Sequence, residues 1–456
     1  MAVCTCIVRD RNKIKGRFYF MITWYKKNIS QYMLLVVLLL FFVGGSSLEC
    51  AYGTNFFRPQ DVSFLSASEL KSRKFMAGAL VEHGFSSERG YDEDGKITDL
   101  LKVYGPTQSA QAMLVDSQAT FLDSEDPEQW FVNTVQQTYD GVWGQFEVSG
   151  KFQQSAVTPW IKGVVPMSEL LPGVFSLSAY LPIKSIQMND IEWRDLSNPM
   201  TLGGEERMNG FTSRLKDFAM RVGKLDLHRW SKIGQGDLTI MLDWHHGFKQ
   251  ELDFIKRIKL EAGIGVVIPT ARALDSDVNQ IFSIPLGTDS AWGIPAKGCL
   301  EVGVHDRVSL GVGVDMLWLN DVTKTRRLKT DASQTDYLLL SKGRVRMQHA
   351  RTWRFTLFSK LDLPVDGLSA SVFYHFAKKG DDTLVPEDNN FSNSVINSTE
   401  SLKESSSHDL VFKGSFSAEN AGGFTAPSFS AFAKIPVGGM RMIKSMTWGG
   451  EFGFAF

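Results

Sequence analysis

The chain has 456 residues, 43% of them hydrophobic and 22% charged, with 49 Lys+Arg against 50 Asp+Glu for a formal net charge of −1. So even a balance argues against a nucleic-acid binder, which would carry a basic stripe. Beyond residue 43 no apolar run approaches the ~20 residues of a membrane helix, so only a closed β-barrel could carry the rest of the chain into a bilayer.

Lys26 and Lys27 precede the apolar run Met33–Val43, which is followed by Gly44, Gly45, Ser46 and Ser47. This run is too short to span a bilayer but suits the core of a secretory signal. Residues 1–53 are therefore read as a signal peptide, cleaved after Gly53, with Met21 as an alternative start. Ser47 and Glu49 flank Cys50 where a lipid-attachment motif needs an aliphatic and a small residue. The leader carries seven of the 49 Lys+Arg and two of the 50 Asp+Glu, leaving 42 against 48, about −6. It also takes Cys4, Cys6 and Cys50, so Cys299 remains without a disulfide partner.

Residues 54–73 have no clear period and are read as a periplasmic tail or a partial plug, with the barrel over 74–456. Lys74–Phe85 alternates as a first strand. Ser86–Asp140 is acidic and irregular, a loop whose short apolar pieces could add a hairpin. Val142–Gln153 sets Phe146, Val148 and Phe152 against Glu147, Ser149 and Lys151. Pro159, Pro166 and Pro172 are expected to end that ladder. Gly173–Lys184 resumes it. In Glu205–Trp230, Phe211, Leu215, Phe218 and Val222 recur at helical spacing, predicting an amphipathic helix borne on a loop.

Strands follow at Gly236–Phe248, Arg257–Ile268, Lys297–Asp306, Val308–Asn320, Thr352–Leu363 and Leu368–Lys379, the last two joined by the turn residues Pro364–Gly367. The polar stretch Lys378–Ser407 is expected to be exposed. His408–Ala418, Ala426–Ile435 and Lys444–Phe456 bring the count to about twelve, within a range of 12–14. In the last of these, Trp448, Phe452, Phe454 and Phe456 share one face and Thr447, Gly449, Glu451, Gly453 and Ala455 the other.

That ending resembles the closing strand of Gram-negative outer-membrane β-barrels of the porin-like kind. The resemblance implies an all-β, antiparallel transmembrane barrel in the outer membrane, with long extracellular loops and short periplasmic turns. It also implies Phe452, Phe454 and Phe456 as an assembly signal, with outer-membrane lipid, lipopolysaccharide and the barrel-assembly machinery as partners. The connections sort accordingly. Those near 249–256, 307, 364–367 and 419–425 are short and alternate with long ones near 87–141, 197–235, 271–296, 322–351 and 380–406. The long 155–172 and the short 436–443 stand out as exceptions.

Charges of both signs fall on one parity: Glu147, Lys151, Lys184, Asp237, Asp243, His245, Arg257, Lys259, Glu261, Glu301, Asp315, Arg354, Lys360, Asp362, Asp409, Lys413, Lys434 and Glu451. Facing lipid near the midplane, a Lys or Arg costs ~2–4 kcal/mol, so these residues are expected to line a lumen. They either tune a solvated pore or pair and fill the interior. The basic run Lys324–Lys329 is read as a solvated outer loop, with a contact to lipopolysaccharide or a constricted mouth as alternatives. Trp143, Trp244, Trp318, Trp353, Tyr374 and Trp448 are candidates for interfacial girdles.

No local signature of a hydrolase, a metalloenzyme or a nucleotide-binding protein is present. His245 and His246 are adjacent and point to opposite faces of a strand, so they cannot share a metal. No catalytic residue, metal or cofactor is expected. The reading is a porin-like channel for small polar or charged solutes. The alternative is a closed barrel displaying adhesive or structural loops, and a barrel hydrolase or a secreted β-sandwich is less supported.

Overall fold

A computed structural model describes residues 75–115, 144–166, 172–196, 205–252, 255–276, 279–418 and 426–456. The leader, the 54–73 segment and Trp143 lie outside the described residues. Twelve antiparallel strands form an up-and-down ring: β1 (Phe75–Gly84), β2 (Gln145–Val165), β3 (Val174–Tyr180), β4 (Leu238–Leu252), β5 (Ile255–Ile268), β6 (Gly293–Gly303), β7 (Val308–Leu319), β8 (Thr352–Asp362), β9 (Leu368–Lys379), β10 (Ser405–Ser417), β11 (Ala426–Met440) and β12 (Thr447–Ala455). The ring closes at β1, where Ala79 lies opposite Phe452 of β12 on one side and Pro159 of β2 on the other. Closure satisfies every strand edge, which a spanning sheet requires in hydrocarbon.

Alternation along each strand sorts the side chains. Leu177, Ile264, Leu310, Phe355, Leu357, Phe412, Phe429, Phe452 and Phe454 are large, apolar and exposed on the outer wall. In water such a continuous belt would be an association site. Against lipid it is the ordinary exterior of a transmembrane barrel. On the opposite parity the same strands bury Glu82, Asp243, His245, Asp315, Arg354, Asp409 and Glu451.

At one end of the barrel eight residues or fewer separate each strand from the next, at 166–173, 253–254, 304–307, 363–367 and 418–425. The other end carries the long connections. Pro159 does not break the ladder, contrary to expectation. Its carbonyl accepts from the Leu181 N–H at 3.1 Å, so the edge on which it lacks a donor faces the point where β3 ends before Pro182, and the pairing with β1 is untouched. Hence β2 continues to Val165 and the anomalous connection 155–172 shrinks to 166–173.

Above the barrel the upper half of β2 pairs with Ile183–Asp195, which pairs in turn with Trp230–Gln235. Phe146, Phe152, Ile186 and Met188 pack there against Leu215 and Phe218 of the helix α1 (Glu205–Gly223), and against Leu100 and Met113 of the first long connection. The largest apolar core of the molecule thus lies in a cap over the loop end. The stretch Lys378–Ser407, expected to be an exposed loop, instead runs from the end of β9 through this cap to the start of β10. Thr383–Pro386 adds a strand to Lys342–Gln348 and Val322–Arg327, and Phe391, Ile396 and Leu402 are buried beneath.

Candidate functional site: the barrel interior and its vestibule

The lumen is crossed by ion pairs that arise from period-2 spacing on neighbouring strands. Arg257, Lys259 and Glu261 alternate on β5, with Lys297 and Glu301 opposite on β6. Lys297 Nζ lies 2.6 Å from Glu261 Oε1 and 3.0 Å from Asp243 Oδ1, and His245 Nδ1 lies 3.6 Å from Glu261. A side chain at Gly263 would collide with Asp243 and Lys297, so that glycine makes room for the pair. Lys259 reaches Glu301 at 3.2 Å, and Arg257 reaches Asp362 at 3.1 Å and Ser309 at 2.7 Å. Lys360 is 3.4 Å from Asp362 and Arg354 is 2.9 Å from Asp315. Lys413 is 3.6 Å from Glu451, and Lys434 is 3.5 Å from Asp409.

Not every residue read as lumen-lining lies in the lumen. Glu147 and Lys151 lie on the part of β2 that rises into the cap, on its outer face. There Glu147 meets Lys102 at 3.1 Å and also pairs with Arg194, while Lys151 meets Glu88 at 2.8 Å and Asp190 at 3.0 Å. Water replaces lipid outside that segment, so its polar face turns outward and its phenylalanines turn in. Asp237 caps a loop instead, accepting from the Ala271 and Thr288 N–H groups. Lys184 is buried on Ile183–Asp195, the cap segment that follows β3. Conversely, Glu82 on β1 is buried, with Oε2 unpaired among the described residues. It shares parity with Met76 and Leu80, so the alternation of the first strand already marked it. Lys162 is also buried, on the stretch the prolines were expected to end.

Met76, Leu80, Trp160, Tyr180 and Met241 of β1 to β4 form an apolar cluster that also takes in Ala426 of β11 and Ala455 of β12, and the Phe358 ring occupies the space that a side chain at Gly311 would need. Cavities bounded by the described residues include one of about 100 Å³ toward the turn end, one of about 50 Å³ above it, and one of about 320 Å³ beneath the cap.

The largest of these is a vestibule. Its walls include the basic run at Lys324, Arg326 and Arg327, which points inward rather than forming a solvated loop. Asp289 accepts from Arg326 at 2.7 Å and pairs with Lys324. Asp336 accepts from the Ser401 N–H at 2.7 Å. His349 Nδ1 stands 4.0 Å from Asp382, which also pairs with Lys379. Tyr104, Phe282 and Tyr337 form an aromatic side, with ring centroids 5.6–6.4 Å apart. Burial dominates the electrostatics here. It pushes the Asp336 carboxyl up and the Lys324 amine and His349 imidazole down, with the paired charges opposing it.

Phe452, Phe454 and Phe456 face outward, and the Phe456 ring meets Phe75 at 6.2 Å. Trp448 is exposed near His83 at the loop end, and Trp244 stacks on His246 nearer the turn end. Among the described residues no three His, Cys, Asp or Glu side chains are placed to hold a metal.

No family model and no curated protein matches the sequence. Among solved structures, an outer membrane channel from Pseudomonas putida F1 is similar with a TM-score of 0.46 at 9% identity, over 84% of this chain and 96% of that one. A FadL homologue from Pseudomonas aeruginosa is similar with a TM-score of 0.27 at 9% identity, over 84% and 89%.

Proposed function

We propose that this chain is an outer-membrane channel through which small polar or charged solutes diffuse, entering by the vestibule and leaving at the turn end, on the periplasmic side. The observation that carries the reading is the pairing of an apolar exterior with cavities walled by hydroxyls and ionisable groups of both signs. A barrel built only to fill itself needs no vestibule of about 320 Å³. Lipid contacts the outer belt, lipopolysaccharide meets the exposed Arg344 and Arg346 of the cap, and Phe452, Phe454 and Phe456 serve the assembly machinery. Refolded protein in planar bilayers of outer-membrane-like lipid should give discrete conductance steps in potassium chloride. Baseline current at every voltage would reject the channel.

A second reading has its own support. The lumen charges are so widely paired that the barrel could be sealed, holding the cap at the cell surface. It expects no conductance, together with binding to surfaces that is lost when the cap segment 320–351 is replaced by a short turn.

A further inference from the structure

We infer that solutes cross the barrel eccentrically, along a hydroxyl-bearing wall made by β9, β10 and β11, and that this lane favours small, uncharged, hydroxyl-rich solutes. The inference rests on the channel reading and narrows its substrate class. Ser369, Ser415, Ser430 and Glu451 stand in one row across four strands, with Ser369 opposite Ser415, Ser415 opposite Ser430 and Ser430 opposite Glu451. Ser371 and Ser428 border the same cavity of about 100 Å³. The hydroxyls of Ser369, Ser371, Ser415 and Ser428 have no side-chain partner among the described residues.

The charges on that cavity, by contrast, are already engaged: Lys259 by Glu301, Glu261 by Lys297, Lys360 by Asp362 and Lys413 by Glu451. An ion entering must shed water and compete with partners in place, and an unreplaced hydration shell is expensive in a confined site. A polyol exchanges water for serine hydroxyls, which both donate and accept. The cavity meets the smaller one above it at Phe373, Lys413, Ser430 and Glu451, which border both. There the Lys413–Glu451 pair, with Ser430 Oγ 3.5 Å from Glu451, forms a neck. The wall across β1 to β4 is closed by the Trp160–Tyr180–Met241 cluster.

The test uses the refolded full-length protein in liposomes, with swelling followed in xylitol and in potassium gluconate of similar size. Xylitol is expected to enter faster than gluconate. Replacing Ser371, Ser415 and Ser428 together by Ala should slow xylitol about tenfold, the effect of one unreplaced hydrogen bond, in protein whose heat-modifiable gel mobility matches the parent's. Lys413→Ala should speed both solutes. Equal entry of the two solutes, or a triple variant as fast as the parent, overturns the lane. If no solute enters and no conductance is seen, the channel reading falls, and the lane is then decided by thiol chemistry. In a Cys299→Ser background, Ser415→Cys should react with a small water-soluble methanethiosulfonate in the folded barrel, whereas Ser309→Cys, on β7 outside the lane and fully buried beside Arg257, should not. An unreactive Ser415→Cys overturns the lane.

Discussion

Lys297 Nζ on β6 lies 2.6 Å from Glu261 Oε1 on β5, and both side chains are largely withdrawn from solvent inside the barrel. With Asp243 on the other side of the ammonium at 3.0 Å, one cation holds two carboxylates. Lys297→Met strips both of their ammonium and is expected to cost ~3–5 kcal/mol, whereas Glu261→Gln, which leaves Lys297 on Asp243, should cost less. Urea unfolding of the refolded barrel, read by heat-modifiable gel mobility, ranks the two. Equal costs would show that the triad does not act as a unit.

The seam has its own weak point. At Gly78 an added methyl would run into the Phe452 carbonyl oxygen, a backbone atom, and lie 2.6 Å from the Trp160 ring. Gly78→Ala should therefore reduce the yield of closed barrel and destabilise what forms by ~1–3 kcal/mol. Gly414→Ala, whose methyl meets nothing within 4 Å, serves as the control and should refold like the parent.

Where lipid ends can be read from charge. Val312, midway along β7, faces outward, and Val312→Arg is expected to cost ~2–4 kcal/mol in a bilayer. Ile233 is 79% exposed on the cap strand Trp230–Gln235, and Ile233→Arg should change stability by no more than ~0.5 kcal/mol. Folding titrations in vesicles decide between them. A large penalty at Ile233 would place the bilayer higher on the molecule.

In the cap, burial pushes the Lys232 amine down to about 8, with Arg272 adding to the shift and Asp289 opposing it. The amine lies 4.8 Å over the Trp230 ring and 2.5 Å from Ser283 Oγ. The unfolded chain then binds more protons than the folded one between about pH 8 and 10.5, so the cap gains stability as pH rises through that window. Comparing the parent with Lys232→Met by cap tryptophan fluorescence in urea at pH 7.5 and 9.5 should show the parent gaining relative to the variant. A constant difference would mean the amine is solvated.

Period-2 alternation was legible from Lys74 to Phe456 because it is a property of the chain alone. It assigned inner and outer faces and the near-twelve count, and helical spacing and turn residues gave the loop-borne helix and the short turns, all without any knowledge of neighbours. It could not say which solvent lies beside a given face. Glu147 and Lys151 have the same alternation as Lys259 and Glu261, yet the first pair faces water above the barrel and the second the lumen, because β2 outruns the membrane and β5 does not. The prolines misled for a related reason: the harm done by a missing N–H depends on which neighbour it would have served. Partners such as Lys297 with Asp243 stand on β6 and β4, two strands that flank β5 without pairing with each other, so their meeting depends on the register each takes with β5. The vestibule is assembled from several long connections and the short strands they carry, so its residues come together through packing of the cap, which only the tertiary structure decides.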